Sequence, residues 1–516
     1  LPLWTASPPL GPSAHRDARA ISLRSEGRAP SPSAAKAPTR RLPPPLTSNN
    51  QTNPPPKQNN TAATEATTTR TNDGRAVRRS LNQTGRYVRQ PTNDPSSQQK
   101  MEEDGVGYSS TGLVAQMREQ GNLWTENPDD ATKKTVVKLA QAYGYCWGVE
   151  RAVRMAYEAR AQFPEKRVLI TNEIIHNPEV NDRLRELDIE ILEETAPSTA
   201  GSAGTKDLIN GKDYSSIQEG DVVIFPAFGA TVQEMQTFRD RGVHMVDTTC
   251  PWVAKVWNSV DTHGRKSFTS VIHGKYSHEE TVATASFAES YIIVKDLEEA
   301  KYVCDYILNG GDREAFLAKF KKAVSKGFCP DRDLQKVGLA NQTTMLKGET
   351  EAIGKLLERT MMRKHGAERL GEHFLLMDTI CDATQERQDA LYAITDDKEI
   401  DMLVVVGGFN SSNTSHLQEI AEHKGLPSFW VDSAARIDVS SNKVTHKTGW
   451  GELKETEGWI PLTNADGKAL TIGVTSGAST PDRAVEEVLD RIFRIRDPAF
   501  AGIAPRECKP VEAPAH

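Results

Sequence analysis

From about residue 135 to residue 495 the chain alternates short apolar runs with amphipathic stretches. "RVLITNEI", "DVVIFPAFG", "GVHMVDTTC", "SFTSVIHG", "YIIVKD", "KVGLANQTT", "HFLLMDTIC", "MLVVVGG" and "LTIGVTSG" each read as a buried strand bounded by polar or turn residues. A β-branched run, Val136–Leu139, precedes them, and Val149, Val153, Ala156 and Tyr157 then recur at helical spacing. Most of the other runs are also followed by a helical pattern, in "PEVNDRLREL", "TVQEMQTFRDRG", "ETEAIGKLLERTMMRKHG", "SSNTSHLQEIAEHKG" and "STPDRAVEEVLDRIFRI". Strands that alternate with helices predict parallel sheets in an α/β fold.

Two stretches break the rhythm. "PSTAGSAGTKDLINGKDYSSIQEG" predicts a long loop, and "RIDVSSNKVTHKTGWGELKETEGWIPLTNADGKAL" a polar hairpin insertion with a turn at Asn464–Gly467. The expected organisation is a disordered leader (1–100), a polar lead-in with a short helix near "TGLVAQMREQ" (101–134), three α/β lobes (135–250, 251–380 and 381–495) and a tail (496–516). The strand Val136–Leu139 leads the first lobe.

Charge sharpens the view of the leader. Residues 1–100 hold 15 Lys and Arg against 5 Asp and Glu, are rich in Pro, Ser and Thr, and show little apolar periodicity. Such a stretch cannot bury enough surface to offset chain entropy. Its composition fits an organellar transit peptide, with a generic disordered tail as the other reading. The whole chain carries −7, so the rest is acidic, which argues against nucleic acid as a partner. No apolar run is long enough to span a bilayer. Six cysteines without a C-x-x-C pair make neither a disulfide framework nor a zinc ribbon, and predict a soluble protein of a reducing compartment.

Three of those cysteines share one context. In "AYGYC-WGVERAV", "VDTTC-PWVAKVW" and "MDTIC-DATQERQ" a strand ends near the cysteine and a helix follows it. Cys146, Cys250 and Cys381 thus occupy equivalent positions in successive α/β units. A helix N-terminus carries partial positive charge, so a lowered thiolate pKa is expected at each. Three converging thiolates suit an iron–sulfur cluster with one open iron; three buried structural cysteines are the other reading of this pattern. Cys304, Cys329 and Cys508 lack the context.

Polar residues at other strand ends add candidates. "NEIIHNPEV" places His176 before an N-cap, Asn177, and a first-turn Pro178; "GKYSHEETVATA" places His278 and Glu280 in a turn that opens a helix. Ser411, Ser412 and Asn413 in "GGFNSSNTSHL", Ser479 and Thr480 in "TSGASTPD", and Thr343 and Thr344 in "NQTTMLKG" also mark helix starts. Each alone reads as a cap; several facing one centre would cradle a diphosphate.

"GYCWGVERA", "HNPEV", "DTTCPWVAKV", "SHEET", "NQTT", "NSSNT" and "GAST-PD", in that order from Val136 to Phe493, closely resemble the LytB/IspH family of allylic diphosphate reductases. The resemblance implies three α/β lobes with pseudo-threefold symmetry around a [4Fe–4S] cluster held by Cys146, Cys250 and Cys381, with one iron left open. It implies diphosphate contacts at His176, His278, Ser411, Asn413 and Ser479, with Ser412 beside them at the same helix start. Glu280 matches the proton-delivering acid, and Thr343 its hydrogen-bonding neighbour. The implied reaction is two-electron reductive dehydroxylation of (E)-4-hydroxy-3-methylbut-2-enyl diphosphate to isopentenyl and dimethylallyl diphosphates, the last step of the methylerythritol phosphate route.

One departure stands out. Many bacterial members carry a second substrate-binding histidine where "FPAFGA" has Phe228, and Phe cannot donate to a phosphate, so that role is not carried over. This variant, the long loops and the basic leader resemble plant, algal and cyanobacterial members, which implies a plastid and a ferredoxin or similar one-electron donor. Two other readings stay open: an iron–sulfur dehydratase, which needs no external electrons, and a non-enzymatic iron–sulfur redox sensor. The hydroxyl-rich helix starts argue against the second. The sequence specifies no oligomeric state.

Overall fold

The computed structural model describes residues 73–192, 208–209, 211–377 and 379–502. The first part of the expected leader, half of the long loop and the end of the tail lie outside the described residues, as does Cys508. What is described of the loop includes a small hairpin, Leu208–Ile209 with Lys212–Asp213.

Three sheets carry the fold. The first is wholly parallel, in the order Tyr87–Val88, His244–Asp247, Val222–Phe225, Val168–Ile170, Ile189–Ile191. The second, also parallel, runs Tyr291–Val294, Thr269–His273, Val337–Asn341, Phe374–Leu376. The third has a parallel centre of Ser428–Val431, Met402–Val406, Leu470–Ser476 and Thr135–Leu139, edged by antiparallel strands. Val222–Phe225, Thr269–His273 and Met402–Val406 are buried at every residue, because packing covers both faces of a central parallel strand.

One strand assigned to a lobe by the sequence lies in a different one. Thr135–Leu139 does not lead the first sheet; it pairs with Leu470–Val474 in the third. The chain therefore leaves the third sheet, passes Cys146, and enters the helix Trp147–Gln162, which packs in the core of the first lobe. It leaves the first sheet at Asp247, passes Cys250, and enters the helix Pro251–Arg265 against the second sheet. It leaves the second sheet at Leu376, passes Cys381, and enters the helix Asp382–Thr395 against the third lobe. Each of the three cysteines sits where the chain crosses between lobes.

The described structure reaches back into the expected leader. Residues 74–100, expected to be disordered, contain the helix Gly74–Asn82 and most of the helix Pro95–Glu103, capped by the Asp73 and Asp94 side chains. Val77, Leu81 and Met101 are buried, and Tyr87–Val88 adds a parallel strand beside Met245 and Val246. A few well-spaced apolar side chains and one strand addition suffice to order an Arg-rich segment. Of the lead-in, the short helix forms as Leu113–Glu119, and Leu123–Glu126 pairs antiparallel with Thr135–Lys138. The polar insertion forms the hairpin Lys443–Lys447 with Leu453–Glu457, followed by a turn at Ala465–Gly467. No helix among the described residues is long and apolar enough to cross a membrane.

Candidate active site

In an open parallel sheet the strand ends splay apart where the strand order reverses, and ligands bind at the carboxyl ends there. Each sheet has such a point: Val168–Ile170 beside Val222–Phe225, Thr269–His273 beside Val337–Asn341, and Met402–Val406 beside Leu470–Ser476. The loops after these strands, with the first turns of the helices they open into, carry His176 and Phe228, His278, Glu280 and Thr343, and Ser411–Asn413 with Ser479.

Cys146, Cys250 and Cys381 are each the N-cap residue of the helix that follows. Gly148 lies between two of them: a β-carbon there would stand 2.6 Å from Cys250 Sγ and 4.0 Å from Cys146 Sγ. At Cys250 and Cys381 the thiol pKa moves opposite to expectation. Burial pushes the Cys250 thiol up to about 12, with the charge of Cys146 adding to it, against the amides of Trp252 and Val253. Burial likewise raises Cys381 to about 11. Helix dipoles act on both sulfurs, but desolvation wins. Among the described residues the three sulfurs are not gathered within 4.8 Å of one another, as the ligands of a single ion would be. Three half-buried cysteines whose thiolates would repel one another fit a polynuclear iron–sulfur cluster better than one cation.

The "VDTTC" turn is built around Asp247. Its Oδ1 accepts from the Thr249 amide at 3.0 Å, Tyr87 donates its phenol to the same carboxylate, and Arg89 lies 3.3 Å away. Arg151, on the Cys146 helix, donates to the carbonyls of Thr248 (3.1 Å) and Thr249 (3.3 Å) and to that of Arg89. The N-terminal segment thus braces the Cys250 loop.

Glu280 is 2% exposed. Its Oε1 accepts from the Thr343 amide at 2.6 Å, and the Thr343 hydroxyl lies 3.0 Å from Oε2. Burial raises its pKa to about 7, although both Thr343 bonds favour the anion. The Thr343 carbonyl in turn accepts from the Cys381 amide at 3.4 Å. A carboxyl poised near neutrality is thereby tied to a thiol-bearing loop.

The third group is a set of hydrogen-bond donors. His176 stacks on Phe228 (centroids 4.2 Å apart, 22° between planes), and His278 meets both rings edge-on. His176 Nδ1 donates to Glu173 at 3.1 Å, and its Nε2 lies 3.5 Å from Glu279 Oε2. Burial opposes the cation, yet these two carboxylates hold the pKa up at about 9. His278 Nδ1 accepts the Glu280 amide at 3.2 Å, which puts its proton on Nε2; burial and the charge of His176 keep it neutral, its pKa down at about 3. His176, His278 and Glu279 have the proximity of metal ligands. Their hydrogen bonds fix both imidazoles as donors, so the grouping suits an anion. Both rings line a cleft of about 540 Å³.

Across from them, Ser411 caps the helix Ser412–His423, and Asn413 Oδ1 accepts from the Ala478 amide at 2.9 Å. Ser412 Oγ and Asn413 Nδ2 are buried without a hydrogen-bond partner, a costly state unless a ligand completes it. The Ser479 hydroxyl donates to the His176 carbonyl at 3.2 Å. Gly408 permits this approach of lobes, since a β-carbon there would lie 2.3 Å from that carbonyl oxygen.

The three cysteines, His176, His278, Thr343, Ser411 and Ser479 lie on loops that follow strands, and Glu280, Ser412 and Asn413 in the first turns of the helices that such loops open into. Cys304 is instead buried in the second-lobe core, and half-buried Cys329 caps the short helix Pro330–Asp333. Sequence reasoning missed Gly148, Glu173, Glu279, Asp247 with its Tyr87 brace, and Arg151. Of these, only Gly148, Asp247, Arg151 and Glu279 stood inside recognised motifs.

Residues 137–493 match the family model of the LytB protein. The chloroplastic 4-hydroxy-3-methylbut-2-enyl diphosphate reductase of Botryococcus braunii is 60% identical over 437 residues, 84% of this chain and 82% of that one. The reductase of the same name from Thermosynechococcus vestitus is 53% identical over 428 residues, 83% of this chain and 99% of that one. A solved structure, that of the E-1-hydroxy-2-methyl-but-2-enyl-4-diphosphate reductase from Plasmodium falciparum, has a TM-score of 0.48 at 20% identity, covering 68% of this chain and 86% of that chain. With a family match across most of its length and relatives this similar, the chain belongs to the LytB protein family.

Proposed function

We propose that this protein removes the hydroxyl group of (E)-4-hydroxy-3-methylbut-2-enyl diphosphate reductively, as its relatives' names indicate, giving isopentenyl and dimethylallyl diphosphates. The observation that carries the reading is Glu280: a buried carboxyl with its pKa near 7, tied through Thr343 to the Cys381 loop, beside a donor set suited to a diphosphate. Cys146, Cys250 and Cys381 would hold a [4Fe–4S] cluster with one iron free of protein ligands, at the centre of three quasi-equivalent lobes. Bound there, the cluster supplies single electrons and Lewis acidity.

The chain's own residues do the rest. His176, as imidazolium, and His278, through Nε2–H, donate to the diphosphate. Ser411, Ser412, Asn413 and Ser479 complete the cradle from the third lobe, where two buried donors otherwise lack partners. This anchoring fixes the far end of the substrate and lets binding energy orient the hydroxyl. Glu280 holds a proton on Oε2, within reach of the Thr343 hydroxyl, and releases it as the hydroxyl departs as water. The balance is two electrons and two protons taken up per water released, the second proton going to carbon. Phe228 takes no part in donation; it stacks on His176 and sets that ring's plane.

The electron donor in this reading is a ferredoxin-like one-electron protein, and the compartment a plastid. The chloroplastic relative and the basic, Pro- and Ser-rich first residues support that placement. The test is anaerobic turnover of the purified holoprotein with the hydroxylated allylic diphosphate, with and without reduced methyl viologen. Formation of both products only with reductant is expected. Conversion without reductant would indicate a dehydratase, and an intact cluster that binds no diphosphate would indicate a sensor.

A further inference from the structure

His176 is enclosed by two carboxylates of the protein itself, and they do not play the same part. Glu173 accepts a well-formed bond from Nδ1 at 3.1 Å. Glu279 Oε2 lies 3.5 Å from Nε2, yet Nε2 makes no hydrogen bond. Glu279 is therefore a loose acceptor standing where a better-placed anion would bond. Its other oxygen accepts from Asn172 Nδ2 at 3.1 Å, and its side chain is 33% exposed. It lines the same cleft as His176, His278 and Lys275, so it has open space to swing into.

We propose that Glu279 sets the anion selectivity of the diphosphate site: it occupies His176 as an internal anion that any ligand must displace. The proposal rests on the diphosphate reading above. Asn172 holds Glu279 in place, and its carboxyl sits below the usual range despite burial, so it is charged when a ligand arrives. A monophosphate or a carboxylate that takes its place exchanges one anion for another and gains little. A diphosphate brings more charge, and its second phosphoryl group reaches Ser412 Oγ and Asn413 Nδ2, which lack partners until then. Glu173, on the far nitrogen, is not displaced; it keeps the ring charged in both states. Two carboxylates on one imidazole thus have opposite effects on anion binding. Glu279 acts through His176 and is a positioning residue, not a catalytic one.

The test is calorimetric titration of the anaerobic holoprotein with inorganic phosphate and with pyrophosphate, in the unsubstituted chain, in Glu279→Gln and in Glu173→Gln. Removing a partly buried competitor charge should tighten phosphate about tenfold in Glu279→Gln, with a smaller gain for pyrophosphate, so the ratio of the two dissociation constants narrows. Glu173→Gln should weaken both anions together. The ¹⁵N resonance of His176 Nε2 should move in Glu279→Gln, which a merely structural change at a helix start would not produce. Should Glu279→Gln fail to fold, Asn172→Ala, which frees the carboxylate from its anchor, should narrow the ratio in the same direction. Weakening of both anions in Glu279→Gln, or an unchanged ratio, would overturn the proposal. Failure of the unsubstituted protein to bind pyrophosphate would instead bring down the diphosphate reading itself.

Discussion

Gly148 faces the sulfur of Cys250 so closely that a methyl group on its α-carbon would stand 2.6 Å from Sγ. In most helices an alanine there would stabilise, by roughly 0.5–1 kcal/mol. Here the neighbour is a proposed cluster ligand whose position is set from the other side by Asp247 and Arg151. Overpacking of this kind costs about 1–3 kcal/mol, and it falls on the geometry of the thiolates. Gly148→Ala is expected to fold but to lose most of its iron, read as iron and sulfide content and visible absorbance after anaerobic purification. Full iron content would show that the sulfur can shift without loss of the site.

The N-terminal boundary gives a second expectation. Leu81 is fully buried and Val77 nearly so, and the Tyr87 phenol and Arg89 brace the Asp247 turn. A chain beginning at Asp73 should keep its melting temperature, because residues 1–72 carry no candidate site residue. One beginning at Met101 should be strongly destabilised and deficient in iron. Within the intact chain, Leu81→Ala should cost about 2–5 kcal/mol, measured by thermal or denaturant unfolding. Equal stability of the two truncations would mean that the segment only rests on the surface.

Much of this was legible in the chain. The apolar runs gave the central strands, and the Cys–helix pattern gave the three crossings. The partner of a strand is not written in its periodicity: sequence order puts Thr135–Leu139 with the lobe that follows it, whereas it pairs with Leu470–Val474, far along the chain. Arginine content masked the spacing of Val77 and Leu81. The Cys250 and Cys381 thiols are raised rather than lowered because burial, which outweighs the helix dipole, depends on the assembled lobes. Glu279 stood inside a recognised motif, but its role depends on His176, which arrives from another lobe.

The acidity of Glu280 makes activity depend on pH. Burial raises its pKa from 4.5 to about 7. The protonated form therefore dominates below 7 and falls about tenfold per unit well above it. The rate should decline on the alkaline side with a one-proton slope. His176, held charged up to about 9, should not set that limb. The same shift acts on stability: the contribution from holding this proton is present in full below 4.5 and is lost as pH rises through 7. Unfolding of Glu280→Gln across that window should show a shallower pH dependence. A rate that stays level to pH 9 would exclude Glu280 as the limiting acid.

Whether Glu280 delivers the proton is decided by turnover of Glu280→Gln, measured beside its iron content and its pyrophosphate affinity. Gln keeps the size of the side chain and its bond to the Thr343 amide, and Glu280 is not among the proposed ligands of the cluster. The account predicts unchanged iron, unchanged pyrophosphate binding, and a rate lower by at least about 10²-fold, the lower end of what a positioned acid contributes. A near-normal rate in a protein with its full iron content would contradict it, and would place the proton's source elsewhere.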